Sequence, residues 1–64
     1  MLTFSEGQCY LIRSTVVARI EKIDKKGSMV KLVPLNEELE NRYFHIPYFE
    51  WLLCTGDIKP YVGT

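Results

Sequence analysis

The chain has 64 residues, of which 47% are hydrophobic and 25% charged, and its formal net charge is zero. These proportions are those of a small globular domain, and they exclude a disordered chain, a collagen-like repeat and a disulfide-rich scaffold. Zero net charge argues against a polyanion binder that acts through bulk charge. The sequence has no apolar run of the roughly 18 residues that a membrane span requires, and no secretory signal pattern. We therefore predict one domain, residues 4–63, in a cytoplasmic protein without membrane association.

Two runs near the N-terminus predict β-strands. Residues 8–13 are dominated by β-favouring residue types, and a polar break follows them at residues 14–15. Residues 16–23 alternate with a period of two, which places one set of side chains on the core face and the other in solvent. The core set is Val16, Ala18 and Ile20, and the solvent set includes Arg19 and Glu21.

Residues 24–28 predict a tight turn, because Gly27 can supply the positive φ angle of a hairpin. Residues 29–35 are apolar and alternate, so they predict the second strand of an antiparallel hairpin. Pro34 lacks a backbone donor, and it therefore ends this strand or places it at a sheet edge.

The second half of the chain begins with residues 36–41, which are polar and predict either one helical turn capped by Asn36 or an acidic loop. Residues 42–46 are aromatic and β-branched, so they predict a fourth strand. One face of that strand carries Phe44 and Ile46, and the other carries Tyr43 and His45.

Residues 47–54 change to helical spacing, and Pro47 suits the first turn of a helix. Gly56 suits the position just beyond a helix C-terminus. Residues 58–62 predict a short closing strand, and Pro60 indicates that this strand lies at an edge. Five short strands with one helical or 3₁₀ turn before the last predict an all-β fold, a small five-stranded SH3-like barrel whose closure removes most exposed edges.

The sequence lacks the combination of groups that catalysis requires. His45 is the only imidazole, and it faces outward on its predicted strand. The acidic residues of segment 36–41 have no apolar surroundings to raise a pKa. Cys9 and Cys54 predict small apolar thiols with at least one in the core, or alternatively a disulfide, and with His45 they fall short of a four-ligand zinc site. We predict no enzyme activity, no metal and no cofactor.

The aromatic residues are too many for so small a core. In one interpretation Phe44 and Trp51 pack the core while tyrosines cover its rim. In the other interpretation, the aromatic residues form a recognition patch. This patch would bind stacked bases or, with Glu50, a cationic side chain. The candidate partner-binding residues of this patch are Tyr43, His45, Tyr48, Trp51 and Tyr61.

Charge is unevenly distributed along the chain. Residues 1–34 contain six basic against three acidic side chains, whereas residues 35–64 contain two against five. The basic residues predict either an ordinary solvated surface or a site that contacts nucleic-acid phosphates. The candidate nucleic-acid-binding residues are Arg13, Arg19, Lys22, Lys25, Lys26 and Lys31.

Apolar residues also occur on the face of the predicted sheet opposite the core, which we call the outer face. Val17, Val33 and Leu35 lie there, opposite Val30 and Leu32 on the core face. The acidic segment, a second copy of the chain in a homodimer, or a partner protein would cover them. Our leading prediction is a non-enzymatic protein-interaction module that uses the aromatic patch, acting as an adaptor, inhibitor or accessory subunit. The alternative is a nucleic-acid-binding barrel that uses the basic residues.

Overall fold

Residues 4–62 fold into one antiparallel sheet with a single helix packed against it. The computed structural model describes residues 4–62, so Gly63, at the end of the predicted domain, lies outside it. The elements are β1 (Cys9–Ile12), β2 (Val16–Asp24), β3 (Met29–Pro34), β4 (Arg42–His45), α1 (Ile46–Thr55) and β5 (Ile58–Pro60). The strand order is β4-β3-β2-β1-β5. A mainly β fold is confirmed, but over the described residues the sheet is not closed into a barrel, and β4 and β5 are its edges.

The core lies between the sheet and α1, and Phe49 is its centre. This side chain is fully buried, and its ring centroid lies 4.8 Å from that of Phe4, 5.6 Å from Tyr10 and 5.9 Å from Phe44. The strands contribute the remaining buried apolar side chains together with Leu52 of α1. The full set is Phe4, Tyr10, Ile12, Ala18, Ile20, Val30, Leu32, Phe49, Leu52 and Ile58.

A β-bulge in β2 adjusts the predicted alternation. Ile20 pairs with Leu32, but Lys22 pairs with Lys31, so Glu21 is an extra residue in β2. This one-residue shift brings Ile23 opposite Val30, where it packs against the core instead of facing outward.

The turn between β2 and β3 corrects the prediction for Gly27. Positive φ angles among the described glycines occur at Gly7 and Gly56, while Ser28 takes the left-handed conformation of this turn, with φ 56°. The Asp24 carboxylate accepts hydrogen bonds from the backbone N–H groups of residues 26 and 27, both at 3.1 Å. A Cβ atom at position 27 would lie 2.8 Å from Asp24 Oδ2, so a larger residue there would require the Asp24 carboxylate to shift.

Residues 35–41 form a loop, in which the Asn36 side chain accepts a hydrogen bond from the backbone of Glu38 at 3.0 Å. The predicted helical segment is confirmed and is a ten-residue α-helix. It ends as predicted at Gly56, whose φ is 88° and whose N–H donates to the Leu52 carbonyl at 3.1 Å. Pro34 ends β3, which lies inside the sheet, whereas Pro60 lies in the edge strand β5 as predicted.

The turn between β1 and β2 holds two non-glycine residues in the left-handed region. Arg13 has φ 50° and Ser14 has φ 61°, and the Thr15 N–H donates to the Ile12 carbonyl at 3.1 Å. Two-residue hairpin turns with positive φ at both central positions favour asparagine and glycine, because a Cβ atom is strained there.

Replacing Ser14 with glycine should therefore stabilise the protein. We expect Ser14→Gly to raise the free energy of unfolding by about 0.5–1 kcal/mol, measured by urea denaturation. Ser5→Gly is the matched control, since Ser5 has no positive φ and glycine there only adds freedom to the unfolded chain. If Ser14→Gly lost as much stability as Ser5→Gly, the conclusion that Ser14 is strained in this turn would be contradicted.

Burial of Tyr10 gives a second prediction, on pH. The hydroxyl donates to Gln8 Oε1 at 2.8 Å, and loss of solvation raises the pKa of Tyr10 above its ordinary value. The folded state therefore favours the neutral phenol, and stability should fall as the pH rises above about 10, where the unfolded chain ionises first. Urea denaturation between about pH 8 and 11 should show a smaller decline in Tyr10→Phe than in the wild type. The control Tyr48→Phe should decline like the wild type, and equal declines in all three would contradict the assignment.

Candidate functional site

Four of the five predicted partner-binding residues lie around the β4 edge of the sheet. Tyr43 pairs with Lys31 and His45 pairs with Met29, so both side chains project from the outer face. Phe44, between them, projects to the core face, where it is half-buried. Tyr43 is 59% exposed and His45 is also exposed. These two residues therefore flank the outer side of the β4 edge, as their alternation predicts.

Tyr48 and Trp51 lie on the helix side of the same edge. Their rings stack with centroids 6.0 Å apart and planes at 17°, and the Tyr48 ring lies 6.1 Å from that of Phe44. The interpretation that places Trp51 in the core is wrong, because Trp51 is 57% exposed and Phe49 occupies the core instead. Helical spacing puts Phe49 and Leu52 on the buried side of α1 and leaves the Tyr48–Trp51 pair facing solvent.

Tyr61 does not belong to this group. It follows β5, and its N–H donates to the Cys9 carbonyl at 3.0 Å. Since β4 and β5 form opposite edges of the open sheet, Tyr61 contributes to a separate surface, at the β5 edge. The five predicted residues are therefore divided between two edges, and sequence alone lacked the strand order that separates them.

The β4 edge also presents unpaired backbone groups. The Ile46 N–H donates to the Ser28 carbonyl at 2.8 Å, which fixes the hydrogen-bonded positions of the β3–β4 pair. Because these positions alternate along an antiparallel pair, Phe44 directs its peptide groups at β3, whereas Tyr43 and His45 direct their N–H groups away from the sheet. Sequence reasoning missed this feature, since a closed barrel would have paired that edge.

The β5 edge differs in this respect. The Arg13 N–H donates to the Asp57 carbonyl at 2.7 Å, and the Tyr61 N–H donates to the Cys9 carbonyl. These two bonds show which residues of β5 direct their peptide groups toward β1. By the same alternation, the backbones of Ile58 and Pro60 face the open side, where Ile58 offers an N–H but proline has none. The β5 edge thus lacks one of its outward donors, whereas the β4 edge keeps the N–H groups of both Tyr43 and His45.

The predicted nucleic-acid-binding residues form a partial group. Arg19, Lys22 and Lys31 occupy the outer face, and the turn residues Lys25 and Lys26 continue it beyond the end of β2. Arg13 lies in the turn before β2, roughly 25 Å from that end of the strand. Lys59, which was not among the predicted residues, also projects from the outer face, because it pairs with Leu11.

One lysine of the outer face is already paired. Lys31 Nζ lies 2.8 Å from Glu21 Oε1, on the extra residue of the bulge. The hydrogen bond and the charge of each partner lower the pKa of Glu21 and raise the pKa of Lys31. Both groups are solvated, so the pair adds little stability, but it reduces the positive charge that this face offers to a polyanion.

The outer face has the apolar centre that the sequence predicts. Leu11 pairs with Val17 there, Val33 is also half-buried, and Leu35 is 58% exposed. Helix α1 covers the opposite face, so within residues 4–62 no helix or strand packs over this centre.

The remaining sequence predictions concern the two cysteines, metal ligands and a membrane-spanning helix. Cys9 is half-buried, Cys54 is exposed, and both are free thiols, so the disulfide alternative and the predicted core thiol are both absent. Among the described residues, no cluster of three or more His, Cys, Asp or Glu side chains could hold a metal ion. No helix in residues 4–62 has the length and apolar character needed to cross a membrane.

Comparison with known proteins gives no relative: no family model, no curated protein and no solved structure matches this chain.

Proposed function

We propose that the chain is a non-enzymatic protein-interaction module, an adaptor, inhibitor or accessory subunit, whose partner contacts the Tyr48–Trp51 pair. The observation that carries this proposal is the exposure of two large, mutually stacked rings on the solvent side of α1. Tyrosine and tryptophan are the residues most enriched at the energetic centres of protein interfaces.

The pair is held in place before any partner arrives. Phe49 and Leu52, on the opposite side of α1, are buried against the sheet, so the helix has a fixed orientation. Tyr48 in turn rests beside Phe44 of β4. Rigid rings lose little conformational entropy on binding, and more of the contact energy is then available as affinity.

The geometry also favours one kind of contact over another. A cage for a methylated or cationic side chain needs rings that surround a cavity, whereas the rings of Tyr48 and Trp51 face each other at 17°. Their outer surfaces offer a flat apolar area with polar atoms at its rim. This arrangement suits an apolar patch on a partner protein.

The proposal predicts that Trp51→Ala and Tyr48→Ala weaken partner capture. Truncation of an interface centre costs about 2 kcal/mol or more, so retention of a partner by the tagged chain should fall roughly 30-fold. Affinity capture from the source cells with quantitative mass spectrometry measures this effect.

Tyr61→Ala is the matched control, because it removes an exposed ring from the other edge of the sheet. A partner lost equally in Tyr61→Ala and Trp51→Ala would contradict the assignment. A partner retained in full by both α1 variants would also contradict it.

A second candidate function, binding of single-stranded nucleic acid, is favoured by the composition of the outer face. Arg19, Lys22 and Lys59 project from it, with Tyr43 at one edge and Tyr61 at the other. Cations beside exposed rings are the elements of a surface that binds single strands by phosphate contact and base stacking. The Glu21–Lys31 pair and the apolar centre make this the weaker candidate.

This candidate predicts salt-dependent binding that depends on position within the basic set. Lys22→Glu should weaken binding to a fluorescent single-stranded oligonucleotide and reduce the salt slope by about one or two. Arg13→Glu, which makes the same charge change outside the outer face, should have a smaller effect. Fluorescence anisotropy at low and moderate salt measures both, and absence of binding at low salt would eliminate this candidate.

We also propose that the fold is an opened relative of the SH3-like barrels. The support is the order β4-β3-β2-β1-β5 and the helical segment that precedes the last strand. Two free thiols, one of them exposed, suit a reducing compartment, and we place the module in the cytoplasm on that ground.

A further inference from the structure

We propose that the β4 edge pairs with the β4 edge of a second copy, so that two chains form a continuous ten-stranded sheet. This inference goes beyond the proposed function, because it rests on the backbone of β4 and on Arg42, and it does not use Trp51. The open edge carries outward N–H groups at Tyr43 and His45, which is an arrangement that binds another strand.

The pairing has one favoured register. A two-fold axis through Tyr43 makes the two copies of this residue exchange both of their backbone hydrogen bonds. The His45 N–H of each copy then donates to the Asn41 carbonyl of the other. A register centred on Arg42 would place two like charges directly opposite each other, which is unfavourable. A register centred on Phe44 would rely on the His45 carbonyl, which already accepts the first hydrogen bond of α1.

Side chains complement each other in the register centred on Tyr43. Arg42 of one copy lies opposite Phe44 of the second copy. Within that second copy, the Tyr48 ring packs beside Phe44. Arg42 is exposed and forms no ion pair with any residue in the described range 4–62. A guanidinium against two rings is a favourable cation–π contact, and the symmetry makes it twice.

The remaining charges allow a second copy as the occupant. The formal net charge of the chain is zero, so two copies do not repel each other at long range. A 64-residue chain has a small core, and association would add to its stability. The two-fold axis stands perpendicular to the sheet, so both helices lie on one side and the dimer presents two Tyr48–Trp51 pairs in the same direction.

Sedimentation velocity of the full chain over about 10 μM to about 1 mM tests the assembly. We expect a concentration-dependent shift from monomer to dimer. Tyr43→Pro removes an outward donor without removing a bond to β3, and it should weaken dimerisation at least tenfold. Tyr43→Thr keeps the donor and the strand preference, and it should change the dimerisation constant by less than about threefold.

Nuclear magnetic resonance on a mixture of labelled and unlabelled wild-type chains gives a readout that does not depend on variants. Arg42 and Phe44 of the two copies would form a non-hydrogen-bonded pair, with Cα atoms about 4.5 Å apart. An intermolecular nuclear Overhauser effect between their Hα protons is therefore expected.

A monomer at the highest concentration would overturn the proposal, as would a dimer without this effect. A folded Tyr43→Pro variant that dimerises like the wild type would overturn it too. If the chain does not dimerise but Trp51→Ala still weakens partner capture, the proposed function stands while this proposal fails. The two proposals can therefore fail separately.

Discussion

The packing of Phe49 against three other rings is the interaction on which the rest of the structure depends. Phe4, Tyr10 and Phe44 come from the N-terminal segment, β1 and β4, and the Phe49 ring lies within 6 Å of each of them. Its burial fixes α1 on the inner face of the sheet, and this decides which other side chains remain in solvent. Loss of a buried phenylalanine of this kind costs about 3–5 kcal/mol, a large part of the stability of a domain this small.

The fixed helix explains how a small core produces an aromatic surface. Segment 43–51 has five Phe, Tyr and Trp side chains, three of them in α1, and an α-helix can turn only part of its circumference toward the sheet. Phe49 takes the central position, Phe44 is half-buried beside it, and the other rings are left outside. The exposed Tyr48 and Trp51 rings are therefore a consequence of which aromatic residue fills the core.

Much of the fold could be predicted from sequence, because period-two alternation and turn residues are local signals. The hairpin of β2 and β3, the end of α1 at Gly56 and the edge position of Pro60 all follow from such signals. The bulge at Glu21 could not be predicted, since strand register depends on contacts between distant residues. The same holds for the exposure of Trp51, because it depends on which aromatic residue occupies the core.

Pro60 has a consequence for how far such sheets can extend. If both edges accepted strands, each added molecule would expose a fresh template, and growth would continue without limit toward a fibril. Pro60 removes one of the donors that β5 would offer to a further strand, while Ile58 keeps its own, so this edge is the poorer template and a sheet extended at β4 would continue less readily from β5. One proline in β5 therefore makes the two edges of the sheet unequal as templates for an added strand.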